Sequence, residues 1–311
     1  MRDAAVGWLA LGVVLHLANQ VARGRGWCAT IRLACPGERR CRTRDAVAAW
    51  VAGAGMGGIL SARGGDAVRL LLLRRRLPDE GYPLLAGTLV AEAAGEAALG
   101  LAFLVILLAS GVGWTPALGA PAAIWIAPAV LVAIAGIVVF RSRWGALRRL
   151  AAGLARGCSA LRHPGAYLGA VTPWQLASRL LRAASLACFL LAFGLPATAA
   201  AIGLVMVAQG GGRLLPFAPA SAAATVAVLA AGFTGATGTH PDLGTLTAFV
   251  VGTSTLLTVA GMVLAAVISV WTYGGSVRSA WDALRGHGGS VPIPRTPRPA
   301  PAARGALGAG R

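Results

Sequence analysis

Apolar residues run through this chain in long blocks, interrupted by short clusters of arginine, proline and glycine. The first block, Ala4–Ala22, holds about 19 residues, close to what a helix rising 1.5 Å per residue needs to cross a ~30 Å hydrocarbon core. No convincing small-residue cleavage site follows it, so it reads as a first transmembrane helix rather than a signal peptide. Pro83–Leu108, Pro121–Phe140, Pro173–Phe193 and Gly244–Trp271 are further blocks of spanning length. Ala46–Leu60, Ala197–Gln209 and Ala222–Phe233 are apolar but too short to cross alone. The period-two alternation of a transmembrane β-barrel is absent. The pattern predicts an all-α, polytopic integral membrane helix bundle of about 6–8 spans, with two broken or re-entrant hairpins. This bundle occupies residues 1–285, and residues 286–311 form a Pro/Gly/Arg-rich tail that reads as disordered.

Composition agrees with the pattern. Of 311 residues 57% are hydrophobic and only 12% are charged, about half the share of a soluble domain. All 28 basic residues are arginine, and the net charge is +18. In a soluble protein that excess would suggest nucleic acid. Here it falls in blocks between apolar segments, so it reports topology, and no nucleic-acid partner is expected. Positive residues prefer the cytosolic side. Residues 23–45, residues 141–165 and the tail are therefore assigned inside, and the neutral connections near 110–120, 194–196 and 235–243 outside. This places the C-terminus in the cytosol, in a cell (inner or plasma) membrane.

Sidedness then sets a constraint. The arginines of residues 23–45 and the triplet Arg74–Arg76 both require the inside face, yet only Ala46–Leu73 lies between them. One crossing cannot satisfy both. Two half-helices meeting at the Ser61–Gly65 segment "SARGG" can, as a hairpin that dips in and returns. The segment "GGGRLLPFAP" repeats the pattern between Ala197 and Phe233. Paired broken segments point to a central binding site in transporters. The alternative is two ordinary short helices joined by a surface loop.

Several polar residues fall where an apolar bundle should carry none. Arg63, Asp66 and Arg69 follow one another at i, i+3 and i+6, beside Gly64 and Gly65. An arginine fork suits a pair of phosphate oxygens, and a helix beginning near Asp66 would add free N–H groups, with Asp66 as its N-cap. The competing reading is a solvated loop. Glu92 and Glu96, at i and i+4 in the middle of a span, share a helix face. Carboxylates at that depth need a partner or a proton, so they read as a proton and ion-pair site or as a static salt bridge. Arg213 lies at the second break with Pro216 and Pro219, as a further buried cation or a snorkelling residue. Trp27, beside Arg23 and Arg25, reads as an interfacial anchor, and His16 and His163 as packing or surface residues. Residues 141–165 carry an apolar helical face (Trp144, Leu147, Leu150, Leu154, Leu161) suited to the membrane interface. The spacing of Cys28, Cys35 and Cys41 fits no zinc pattern. No metal, cofactor or catalytic motif is found, which points away from an enzyme.

At these residues the sequence resembles the transmembrane (flippase) domain family of lysylphosphatidylglycerol synthases, which includes stand-alone integral membrane members. "RGWCATIRLA" carries Trp27, with Gly26 where the family pattern has arginine. "GILSARGGDAVRLLLLRRR" matches through Arg63, Gly65, Asp66 and Arg69. "VAEAAGE" matches through Glu92 and Glu96, with Ala93 replacing an arginine, and "LLPFAPASAAA" keeps Pro216 and Pro219 but loses the glycines. The resemblance spans about residues 5–275. It implies translocation or binding of an anionic or aminoacylated phospholipid, or of a polyprenyl-linked lipid. No counterpart of the soluble synthase domain follows residue 286, so it implies lipid handling without aminoacyl transfer. The partners expected are a membrane lipid and an envelope-lipid synthase. The alternatives are a membrane-embedded transferase using Glu92 or Glu96 as base, and a non-catalytic partner of such a synthase.

Overall fold

The computed structural model describes residues 2–35, 41–57, 62–77, 80–109, 145–212 and 218–273. Among these the protein is all-helical, without a strand. The helices are α1 (Arg2–Ala34), α2 (Thr43–Gly57), α3 (Ala62–Arg76), α4 (Tyr82–Ala109) and α5 (Gly145–Gly157). A 3₁₀ turn, Cys158–Arg162, leads to α6 (Pro164–Ala170), α7 (Thr172–Ala192), α8 (Ala199–Gly212), α9 (Ala218–Thr237) and α10 (Leu243–Tyr273). Among the described residues, four stretches are long and apolar enough to cross a membrane: Ala5–Ala34, Tyr82–Phe103, Thr172–Ala192 and Leu243–Ile268. The expected span Pro121–Phe140 and the tail from 286 lie outside the described residues.

The first departure from the sequence reading is α1. The sequence pattern puts Arg23, Arg25 and Arg32 in a connecting segment, but the helix continues unbroken through them to Ala34. Gly24 and Gly26 each weaken a helix by up to ~1 kcal/mol relative to alanine, yet both lie where another helix comes close. A Cβ on Gly24 would stand 2.7 Å from the Val47 backbone of α2, and one on Gly26 would touch Trp174 of α7. Gly12 similarly faces the Phe189 ring, so α1 and α7 run antiparallel over most of their length. Ser185 Oγ donates to the Gly12 carbonyl at 2.7 Å and fastens the pair. Trp27, expected at the interface, is fully buried; it packs against Trp50 with ring centroids 5.7 Å apart and donates to Thr88 Oγ1 at 3.0 Å.

α2 and α3 form the second feature. Each has 15 residues, so each is about 22 Å long, short of a bilayer core. Gly53 faces Arg69 while Gly57 faces Gly65: positions rise along one helix as they fall along the other, so the two are antiparallel. The basic end of α3 thus returns to the start of α2, where Arg76 lies 3.9 Å from Asp45. Gly53 and Gly65 allow this approach because a Cβ on either would strike the opposite backbone. On its other side α2 meets α10, with Gly55 against Gly261 and Ala265. Asp66 is the fifth residue of α3 and therefore not its N-cap; instead it pairs with Arg69 along the helix.

Among the described residues, two large apolar clusters and a small third one (Ala160, Tyr167 and Val171) fill the interior. Of the large two, one joins α1–α4 through Trp27, Ile31, Trp50, Leu73 and Leu85. The other joins α7–α10 through Phe189, Leu190, Leu204, Leu229, Phe233 and Phe249. α5 lies on α4, not only along a surface: Gly153 and Gly157 abut Pro83, Leu84 and Gly87, a small-residue contact of the kind that brings membrane helices together. Just past the end of α7, Gly194 has a φ of +71°, the left-handed conformation favoured by glycine. The Leu195 N–H then returns to the Leu190 carbonyl at 2.9 Å.

Gly157→Leu is expected to lower detergent-solubilised stability by ~1–3 kcal/mol, because the added atoms meet the α4 backbone. Gly235→Ala, at a position open to space, leaves stability unchanged or slightly raised. Thermal unfolding of both variants checks this contrast. Asp242 caps α10 by accepting from the Thr245 N–H at 2.9 Å and the Thr245 hydroxyl at 2.6 Å. Those bonds hold its carboxyl below the usual value, so its contribution is present at neutral pH and lost as pH falls through the folded-state value. Asp242→Ala therefore lowers the melting temperature at pH 7, and the difference from wild type closes on acidification.

Candidate functional site

Between α1, α2, α3 and α4 the packing leaves a cavity of about 470 Å³ with polar and apolar walls. α1 supplies His16, Gln20 and Arg23, which share a helix face with the buried Trp27 at i, i+4, i+7 and i+11. α2 supplies Trp50, α3 supplies Asp66 and Arg69, and α4 supplies Glu92 and Glu96. Leu257 and Thr258 of α10 close one wall.

Trp50 organises the cationic side. Its ring carries the Arg69 guanidinium at 3.9 Å and the Arg23 guanidinium at 4.9 Å from the centroid. Stacking on an indole face stabilises each cation by ~0.5–2 kcal/mol, more as water is excluded. Trp50 Nε1 donates to Gln20 Oε1 at 3.2 Å. The other end of that amide is therefore the NH₂ group, 3.0 Å from His16 Nε2. His16 Nε2 must accept, which leaves the ring neutral with its hydrogen on Nδ1. Arg23 Nη2 donates to Glu96 Oε2 at 2.6 Å, a pair with side chains only 16% and 23% exposed. Arg69 Nη1 donates to Asp66 Oδ1 at 2.7 Å, with Asp66 half exposed.

Glu92 differs from the other acids. It is 2% exposed, and its Oε1 has no hydrogen-bond partner among the described residues. A buried polar atom left in that state costs ~1–3 kcal/mol, more if charged. The backbone beneath it is clamped from behind. Tyr167 donates to the Ala91 carbonyl at 3.2 Å, Gln175 to the Glu92 carbonyl at 3.1 Å, and Arg179 to the Glu96 carbonyl. Gln175 Nε2 also donates to the Tyr167 hydroxyl at 3.1 Å. Gly95 makes room for this network, since a Cβ there would meet the Tyr167 hydroxyl and the Gln175 amide. Three donors on one helical segment hold the turn bearing both carboxylates in a set orientation.

The structure thus brings together Asp66, Arg69, Glu92 and Glu96. The side chain of Arg63 lies outside the described residues, as do Arg213 and Pro216, while Pro219 sits in the first turn of α9. Near that second break Arg182 Nη2 donates to Gln209 Oε1 at 2.7 Å, at the end of α8. Sequence reasoning missed Arg23, Gln20, Trp50, Gln175 and Arg179 as participants, and His16, read as packing or surface, lines the cavity. The i, i+4, i+7 spacing of His16, Gln20 and Arg23 was the available signal. Among the described residues no group of three or more His, Cys, Asp or Glu side chains is placed to hold a metal ion. Cys28, Cys35 and Cys41 are free thiols. Burial, followed by the negative charge of Glu80, pushes the Cys35 thiol up to about 12.

No family model, curated protein or solved structure matches the chain.

Arg23→Ala and Glu96→Ala are each expected to destabilise the protein, because each leaves a largely buried charge without its counterion. The double variant should lose less than the sum of the two, with a coupling of ~1 kcal/mol or more. A double-mutant cycle on thermal or denaturant unfolding measures it.

Proposed function

We propose that the protein binds a lipid headgroup in this cavity and carries it between membrane leaflets. The observation that supports it best is the cavity itself: arginines held on Trp50 and a buried, incompletely bonded Glu92, set among helices long enough to cross a membrane. Glu92 stands ten residues into α4, ~15 Å from its start, the depth of a bilayer midplane. Such groups inside a bilayer mark pathways for charged substrates. In this reading α2 and α3 form a re-entrant hairpin from the arginine-rich face, and α8 and α9 form a second broken pair. The whole is a bundle of about 6–8 spans in the cell membrane, with a cytosolic C-terminus. Irregular backbone at that depth is tolerated where it lines a polar cavity. An anionic headgroup would meet Arg69 and Arg23, with Arg63 and Arg213 as further candidate ligands.

The resemblance to the transmembrane domain family of lysylphosphatidylglycerol synthases supports the same substrate class: an anionic or aminoacylated phospholipid or a polyprenyl-linked lipid. A transferase using Glu92 or Glu96 as base is the second reading, favoured by the place of both carboxylates on the cavity wall. It requires product to form from a supplied lipid. An accessory role beside an envelope-lipid synthase requires activity only on co-purification.

Reconstitution into vesicles carrying a fluorescent anionic phospholipid tests the proposal. Wild-type protein accelerates leaflet exchange, and Arg69→Ala slows it by ~tenfold or more, the effect of losing one charged hydrogen bond. Exchange by a folded Arg69→Ala protein at the wild-type rate would remove the cavity from the mechanism.

A further inference from the structure

The charge balance around Glu92 assigns it a second ligand. Across the described residues, the charged and titratable groups facing it are His16 and Arg23 on α1, Asp66 and Arg69 on α3, and Glu96 on α4. Behind it stand Arg179 on α7 and Tyr167 on α6, whose bonds go to the backbone of the same turn. α2 and α10 face the cavity with uncharged groups: Trp50, Gly53, Ala54, Leu257 and Thr258. His16 is neutral by its hydrogen bond from Gln20. Among the described residues, three guanidinium groups therefore stand against two carboxylates other than Glu92. These groups sum to zero with Glu92 ionised and to one positive charge with Glu92 protonated.

We propose that the cavity takes up a phosphodiester anion together with one proton, and that Glu92 carries the proton. Four observations lead there. Glu92 is buried to 2% exposure and lines the cavity. Its Oε1 lacks a bond partner among the described residues, as an acid awaiting a proton or donor would. Its neighbour Glu96 is held by Arg23 at 2.6 Å, so that cation's nearest carboxylate contact is already made. Finally, an arriving monoanion leaves these groups neutral when Glu92 is protonated, and leaves one negative charge in excess when it is not. Anion binding and protonation at Glu92 thus favour each other, and by linkage the effect is reciprocal. The step is balanced: a phosphodiester anion and a proton enter, and the same two leave on the other side. No bond of the substrate is made or broken. This inference rests on the headgroup reading for its ligand, but the phosphodiester could belong to a lipid or to a free ester.

The test uses the full-length protein in an uncharged detergent. Calorimetric titrations in buffers of different ionisation enthalpy give both affinity and proton uptake. Short-chain phosphatidylglycerol is the lipid probe, dimethyl phosphate the free diester, and short-chain phosphatidylcholine the zwitterionic control. Neither diester anion titrates near neutral pH, so any uptake belongs to the protein. The expected result is phosphatidylglycerol binding with uptake of about one proton, and affinity falling by up to tenfold per unit rise in pH. Glu92→Gln, which keeps the shape of the protonated acid, should bind with pH-independent affinity and no uptake. If that variant does not fold, wild-type stoichiometry and slope decide, supported by loss of the protonated-carboxyl infrared band at high pH.

Binding of phosphatidylglycerol without proton uptake, or uptake that persists in Glu92→Gln, overturns the coupling and leaves the headgroup reading standing. Proton-linked binding of dimethyl phosphate alone keeps the coupled anion site and overturns the lipid reading. Binding of neither anion overturns both.

Discussion

Two guanidinium groups resting on one indole ring impose the arrangement of the four N-terminal helices. Arg23 comes from α1 and Arg69 from α3, and Trp50 on α2 lies within 4.9 Å and 3.9 Å of them. Each cation also has an acid, Glu96 on α4 for Arg23 and Asp66 on α3 for Arg69. Removing Arg23 or Glu96 leaves its largely buried partner without a counterion, and removing Trp50 takes away the ring on which both cations rest. The consequence is mutual dependence: α1 and α4 meet through Arg23 and Glu96, and Trp50 of α2 joins α1 to α3.

Glycine makes that proximity available. Gly53 and Gly65 bring α2 and α3 backbone to backbone, so Arg69 can cross Gly53 toward Trp50. Gly55 lets α10 lie against α2, and Gly95 admits Tyr167 and Gln175 to the back of the carboxylate turn. In an apolar surrounding, helices gain little from hydrophobic burial against one another, and small residues with polar contacts carry the association instead. The glycine content of this chain therefore has structural use at particular positions. Gly235 and Gly210, with open space around them, have no such use.

Much of this is legible in the amino-acid sequence. The all-helical class and the long apolar segments follow from composition and block length. Two short antiparallel helices, α2 and α3, lie where the two arginine clusters call for a paired segment. But α3 already begins at Ala62, so Ala62–Gly65 belong to the helix and not to the break expected at Ser61–Gly65. Glu92, Glu96, Asp66 and Arg69 stood out because charge is conspicuous in apolar sequence. Arg23, Arg25 and Arg32 were misjudged for the same reason. Arginine marks sidedness in a sequence, and that mark does not distinguish a connecting segment from a helix that passes through three of them. Trp50, Gln175 and Arg179 could not be found locally, since their roles are contacts across 30 to 83 residues of chain. Asp66 as a cap failed because α3 begins four residues earlier, at Ala62.

The central claim is that this polar cavity receives a lipid headgroup at membrane depth. Its most direct measurement is photocrosslinking from a photoreactive amino acid placed at Ala93, which lines the cavity beside Glu92, with Val90 on the outer face of α4 as comparison. In native membranes the account predicts phospholipid adducts through headgroup atoms at Ala93 and through acyl chains at Val90, distinguished by mass spectrometry. Acyl-chain adducts at both positions, or no lipid adduct at Ala93, would contradict it.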